Sequence, residues 1–166
     1  MVLGLSLHAF TVVHVILSLI GIAAGLVVLG GMVGGRRLEG WTAVFLVTTI
    51  LTSVTGFFFP FTRIGPPHVF GVMSLVVLAV TLVALYGQRL RGAWRWLYVV
   101  GSLVALYLNV VVGVVQAFQK LPFLTLLAPT QSEPPFLVAQ VLVLVTFLVL
   151  GIRAVARFRP TAPAPA

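Results

Sequence analysis

The sequence predicts an all-α protein, a polytopic bundle of five transmembrane helices with its N-terminus outside and its C-terminus in the cytoplasm. Three observations predict it. The chain is 61% hydrophobic and 7% charged, with a mean hydropathy of +1.22, whereas about a quarter of the residues of a soluble domain are charged. Five apolar runs, each close to the ~20 residues a helix needs to cross hydrocarbon, are separated by short polar breaks. Finally, the basic residues are distributed very unequally between alternate breaks.

The runs are read as His8 to Val33, Trp41 to Phe59, His68 to Tyr86, Trp96 to Phe118 and Phe136 to Ala156. The breaks are GGRRLEG, PFTRIGPP, GQRLRGAW and the longer QKLPFLTLLAPTQSEPP, each supplying the Gly, Pro or charge that ends a helix. Nothing basic precedes the first run, and it is longer than the apolar core of a signal peptide, so it is read as a retained helix. Residues 1–159 thus form one transmembrane domain. The closing PTAPAPA, residues 160–166, is a Pro/Ala tail expected to be disordered.

Alternate connectors fall on opposite sides of a membrane. One side receives Arg36, Arg37, Arg89, Arg91, Arg95, Arg153, Arg157 and Arg159, the other only Arg63 and Lys120. Basic connectors stay in the cytoplasm, which sets the direction. Trp41, Trp94, Trp96, Tyr86 and Tyr98 gather at the same end as an interfacial belt. Because the basic residues lie in these connectors, the formal charge of +8 argues for orientation and against a nucleic-acid partner. The lipid bilayer is the partner the composition implies, with another membrane protein or a homo-oligomer as further candidates.

Polar groups inside the spans are few. Gly21 and Gly25 share a face of the first helix, and Gly30 with Gly34 repeats the spacing, a pattern for close helix packing or a dimer seam. Thr48, Thr52 and Thr55 line one face of the second helix, with Thr49, Ser53 and Gly56 beside them. Asn109, Gly113 and Gln116 follow one face of the fourth, and an amide at that depth is expected to face protein. No Asp, Glu, Lys or Arg lies in the middle of a span, which disfavours proton- or ion-coupled transport. There is no cysteine, so disulfides, thiolate metal sites and thiol nucleophiles are excluded. Ser-His-Asp sets, phosphate loops and paired carboxylates are absent too, which favours a ligand- or partner-binding role over catalysis.

The outer end carries the candidate site. His8, His14 and His68 all fall there, with Arg63, Gln116, Gln119, Gln131, Glu133 and Gln140. His8 and His14 lie about 120° apart around a helix, so His14 and His68 make the better pair. Prolines at 129, 134 and 135 stiffen the segment that presents Glu133. The simplest expectation is an ion pair with Arg63 or Lys120. Two sharper ones are a three-ligand site for a divalent metal at His14, His68 and Glu133, and a haem b held axially by His14 and His68. The preceding LPFLTLL is too short to span and too apolar to be solvated, so it is expected at the membrane interface, folding Glu133 back over the bundle mouth.

WTAVFLVTTILTSVTGFFFPF, PPHVFGVMSLVVLAV, GAWRWLYVV, ALYLNVVVGVVQAFQKLP and LAPTQSEPPF together resemble a group of small uncharacterised bacterial multi-span inner-membrane proteins. The resemblance covers nearly all of the chain after the first helix. It implies a bacterial inner-membrane location and transfers no functional residue.

Overall fold

The computed structural model describes residues 2–60 and 65–159. Arg63 and the tail 160–166 lie outside the described residues. Within them the chain forms six α-helices: α1 (Leu7–Val33), α2 (Glu39–Gly56), α3 (Pro66–Leu82), α4 (Trp94–Lys120), α5 (Pro122–Leu127) and α6 (Pro134–Arg157).

Each boundary has a local cause. Ser6 caps α1, its hydroxyl accepting the Ala9 amide at 3.2 Å. Glu39 sits in the first turn of α2, where a carboxylate complements the helix dipole, and pairs with Arg37 at 3.6 Å. Prolines open α3, α5 and α6, where their missing N–H costs no helical bond. At its far end α3 widens into a π-turn, Val83–Gly87, after which Arg89 and Leu90 adopt φ of 48° and 60° and turn the chain into α4.

Among the described residues four helices are long and apolar enough to cross a membrane: α1, α3 with its π-turn, α4 and α6. α2 is not among them, because Glu39 and six Thr or Ser residues lower the hydropathy of its 18 residues. The second predicted run, Trp41 to Phe59, is helical but ends earlier than expected, at Gly56 rather than Phe59.

α4 is the centre of the bundle and touches every other helix. α1 and α2 pack most extensively against each other; α3 lies on α2 and α4, and α6 on α4 and α1. Burial follows this order, with 33% of the apolar window of α4 buried and only 11% of that of α6, so α6 is peripheral. The core runs through Val28, Met32, Phe45, Leu46, Leu78, Tyr98, Val99 and Leu106, continuing to Phe147 and Phe158.

Glycine sets the α1–α2–α4 distance. A Cβ on Gly25 would lie 2.5 Å from Leu106 and 2.9 Å from Phe45, and one on Gly21 would lie 3.2 Å from the Thr48 hydroxyl. The Gly21/Gly25 face thus packs within the bundle. Gly30 departs from the expected repeat, since a Cβ there would meet nothing within 4 Å. Gly31 is the packed residue instead, 2.9 Å from Leu38 by the same measure.

Candidate functional site

The two ends of the bundle differ in chemistry. At one end stand the arginines. Arg95, on the first turn of α4, donates to the carbonyl of Phe158 and, at 3.4 Å, to that of Val155, covering the open end of α6. Phe158 is fully buried, with its ring 5.6 Å from that of Tyr98. The Tyr98 hydroxyl in turn lies 3.4 Å from Thr42 Oγ1. Gly35, at φ +73°, abuts the Arg157 carbonyl, where a Cβ would stand 3.2 Å away. The α1–α2 turn, the start of α4 and the end of α6 are therefore one assembly.

The other end holds the predicted site. His14 Nδ1 lies 2.8 Å from Thr55 Oγ1, and the Thr55 hydroxyl sits 2.7 Å from the Leu51 carbonyl of its own helix. A hydroxyl has one proton. With that proton on Leu51, Thr55 accepts from His14, which fixes the Nδ1–H tautomer and leaves Nε2 as the acceptor. The ring also meets Phe59 edge-on at 5.1 Å. His68 has the opposite tautomer: its Nδ1 accepts the Gly65 amide at 3.3 Å at the start of α3, so the ring proton is on Nε2. Phe57 stands beside it, ring centroids 6.0 Å apart. His8 is exposed at the start of α1.

Glu133 belongs to neither histidine. Its Oε1 accepts from the Thr130 amide at 3.1 Å and the Thr130 hydroxyl at 2.9 Å, and Oε2 accepts from the Ser132 amide at 3.0 Å. Among the described residues no group of three His, Asp or Glu side chains stands together in a way that could hold a metal ion, so the His14, His68 and Glu133 set is not assembled. The physical reason is local: three donors within three residues satisfy the carboxylate before any distant partner does. Partial desolvation works against the charged form, but the Thr130 hydroxyl, the Thr130 amide and the Ser132 amide together outweigh it and hold the carboxyl below its ordinary value.

The loop does return to the bundle, by a residue outside the leading candidates. Gln131, at φ 60°, donates from Nε2 to the Val115 carbonyl of α4 at 3.1 Å, and its Oε1 lies 3.5 Å from Gln119 Nε2. Thr125 Oγ1 adds a bond to the Phe118 carbonyl at 2.8 Å, and the Phe118 and Phe136 rings meet edge to face at 5.3 Å. A half-open crevice of about 340 Å³ remains under the loop, lined by Phe118, Gln119, Thr125, Pro129, Thr130 and Gln131. Outside it, α5 turns Phe123 (62% exposed), Leu126 (83%) and Leu127 (53%) away from the protein, as an interfacial helix does.

The amides divide. Asn109 donates to Thr49 Oγ1 at 3.3 Å, joining α4 to α2 as expected. Gln140 reaches the Val111 carbonyl at 3.5 Å, and its buried Oε1 has no donor among the described residues. Gln116 corrects the reading that it faces the interior: it is exposed, because the buried face of α4 at this level is that of Phe118, and two residues along a helix place Gln116 about 160° away from it. Elsewhere the hydroxyls are used internally, Ser53 on Ser74 at 3.0 Å and Thr48 on the Val44 carbonyl at 2.7 Å.

Sequence reasoning missed Arg95 as the cap of α6 and Gln131 as the anchor of the loop. For Glu133 a signal was present, the spacing of Thr130 and Glu133 in TQSE, which places a hydroxyl and an amide three residues from a carboxylate. No family model, curated protein or solved structure matches the chain.

Proposed function

We propose that this is a five-span protein of a bacterial inner membrane, N-terminus outside and C-terminus in the cytoplasm, working as an accessory component that meets a ligand or partner at its periplasmic face. The observation that carries the reading is the separation of the two ends. Eight arginines surround the interlocked turns at one end; the histidines, the glutamines and the anchored loop occupy the other. Supporting α2 as the fifth span, it runs antiparallel to α1 over the same depth, with Thr55 beside His14 at one end and Leu38 beside Gly31 at the other. Its 18 residues extend about 27 Å, close to the ~30 Å hydrocarbon thickness.

A binding role fits better than transport or catalysis because the interior polar groups bond largely to one another, as in the Asn109–Thr49 and Ser53–Ser74 pairs. The exposed amide of Gln116 is left on the outer end of α4, beside the exposed Gln119–Gln131 pair. Reporter fusions in the Arg36/Arg37 turn, in the Thr130 loop and after Arg159 test the topology. The turn and the C-terminal fusion are expected in the cytoplasm and the loop in the periplasm; the reverse overturns the reading. For the binding role, photocrosslinkers at Gln116 and Gln119 are expected to yield a defined adduct that one at Leu148 does not. A Soret band or stoichiometric metal lost in His14→Ala would replace this reading with a redox one.

A further inference from the structure

Resting on that topology, we propose that the arginine end is a binding site for the phosphate of an anionic phospholipid headgroup, centred where the α1–α2 turn meets the end of α6. All eight basic residues at this end are arginine, and the chain's one lysine is at the other end. Orientation needs only positive charge, which lysine supplies equally well. A guanidinium adds a planar fork that holds two phosphate oxygens at once.

Only one side-chain carboxylate, Glu39, lies at this end, and Arg37 pairs with it. Arg95 is committed to the α6 carbonyls. Arg36, Arg153, Arg157 and Arg159 are exposed, and among the described residues none of them pairs with a carboxylate. The fold collects them: the contact of Gly35 with the Arg157 carbonyl sets the backbone of Arg36 beside that of Arg157. Buried Phe158 fixes the residues on either side of it, and Arg153 lies one turn before Arg157 on the same face of α6. Arg37 Nε, buried and without an acceptor among the described residues, adds a donor in the same turn. Exposed Trp41, Trp96 and Tyr86 put this end at headgroup level.

The test is native mass spectrometry of the full chain with phosphatidylglycerol or phosphatidylcholine, with inorganic phosphate as competitor. Wild-type protein is expected to retain phosphatidylglycerol preferentially, and Arg36→Gln with Arg157→Gln to lower that retention about tenfold. Arg36→Lys with Arg157→Lys keeps the charge and loses the forks; most of the loss is expected here too. Arg89→Gln with Arg91→Gln removes equal charge from the α3–α4 turn and is expected to change little. Equal retention of both lipids, equal loss in the two Gln pairs, full retention in the Lys pair, or displacement by millimolar phosphate overturns the proposal. Detergent micelles have no sidedness, so this outcome is independent of the fusion topology: inverted fusions sink the orientation, and absent lipid selectivity sinks the site.

Discussion

Gln131 donates to the Val115 carbonyl at 3.1 Å, so the α4–α6 loop is tied to the bundle by an amide while the carboxylate two residues later serves the loop itself. The bond is made from a left-handed backbone conformation, φ 60°, that a non-glycine residue adopts at a cost of about 1 kcal/mol. Gln131→Ala keeps that cost and loses the bond, worth about 1 kcal/mol, so amide exchange across residues 121–133 is expected to quicken about fivefold. Gln131→Gly loses the bond and relieves the strain, so its exchange should stay near wild type. Identical behaviour of the two variants would mean that the loop is not held by this contact.

Asn109 and Thr49 join α4 to α2 through a 3.3 Å bond in the middle of the bundle. Interhelical hydrogen bonds in membrane proteins couple by about 0.6 kcal/mol on average. A double-mutant cycle of Asn109→Ala and Thr49→Ala, read by unfolding in detergent, is expected to give a coupling of that order. Strict additivity would show that the two side chains do not meet.

Gly25 and Gly30 occupy one helix and should respond oppositely to the same substitution. A Cβ at Gly25 drives into Leu106 and Phe45, and overpacking of this kind costs about 1–3 kcal/mol, so Gly25→Ala is expected to lower the unfolding midpoint. Gly30 faces open space; Gly30→Ala should be neutral or gain up to about 1 kcal/mol from helix propensity. Parallel losses at both positions would point to a second interface over Gly30.

Acid should loosen the outer loop before the bundle. The Glu133 carboxyl is held below its ordinary 4.5, so the contribution of its ionised form is fully present above that value and is lost as pH falls through the lower, folded-state value. Protease cutting between Pro129 and Glu133 is expected to rise in that acidic window in wild type. In Glu133→Gln, which cannot titrate, cutting should already be raised at neutral pH and change little with acid. An identical acid response in both proteins would place the titrating group elsewhere.

The sequence by itself determined the helical class, the approximate place of every apolar run, the gathering of basic residues at alternate connectors and the close-packing spacing of Gly21 and Gly25, whose partners inside the bundle the structure supplied. These follow from one-dimensional quantities: the length of an apolar run, the residues that interrupt it, and a spacing of four around a helix. Asn109 was legible for a related reason, since an amide in a long apolar run has few alternatives to a partner on a neighbouring helix. Tertiary structure alone decided which polar groups meet. Nothing along the chain says that Arg95 covers the end of α6 sixty residues away, that Gly31 rather than Gly30 is the packed glycine, or that Gln116 lies on the exposed side of α4, opposite buried Phe118. The metal set at His14, His68 and Glu133 did not assemble because hydrogen bonds are short-ranged, and Glu133 found three donors among its immediate neighbours. Composition supplied the ligand types; only packing could bring them to one point, and at Glu133 the local backbone reached the carboxylate first.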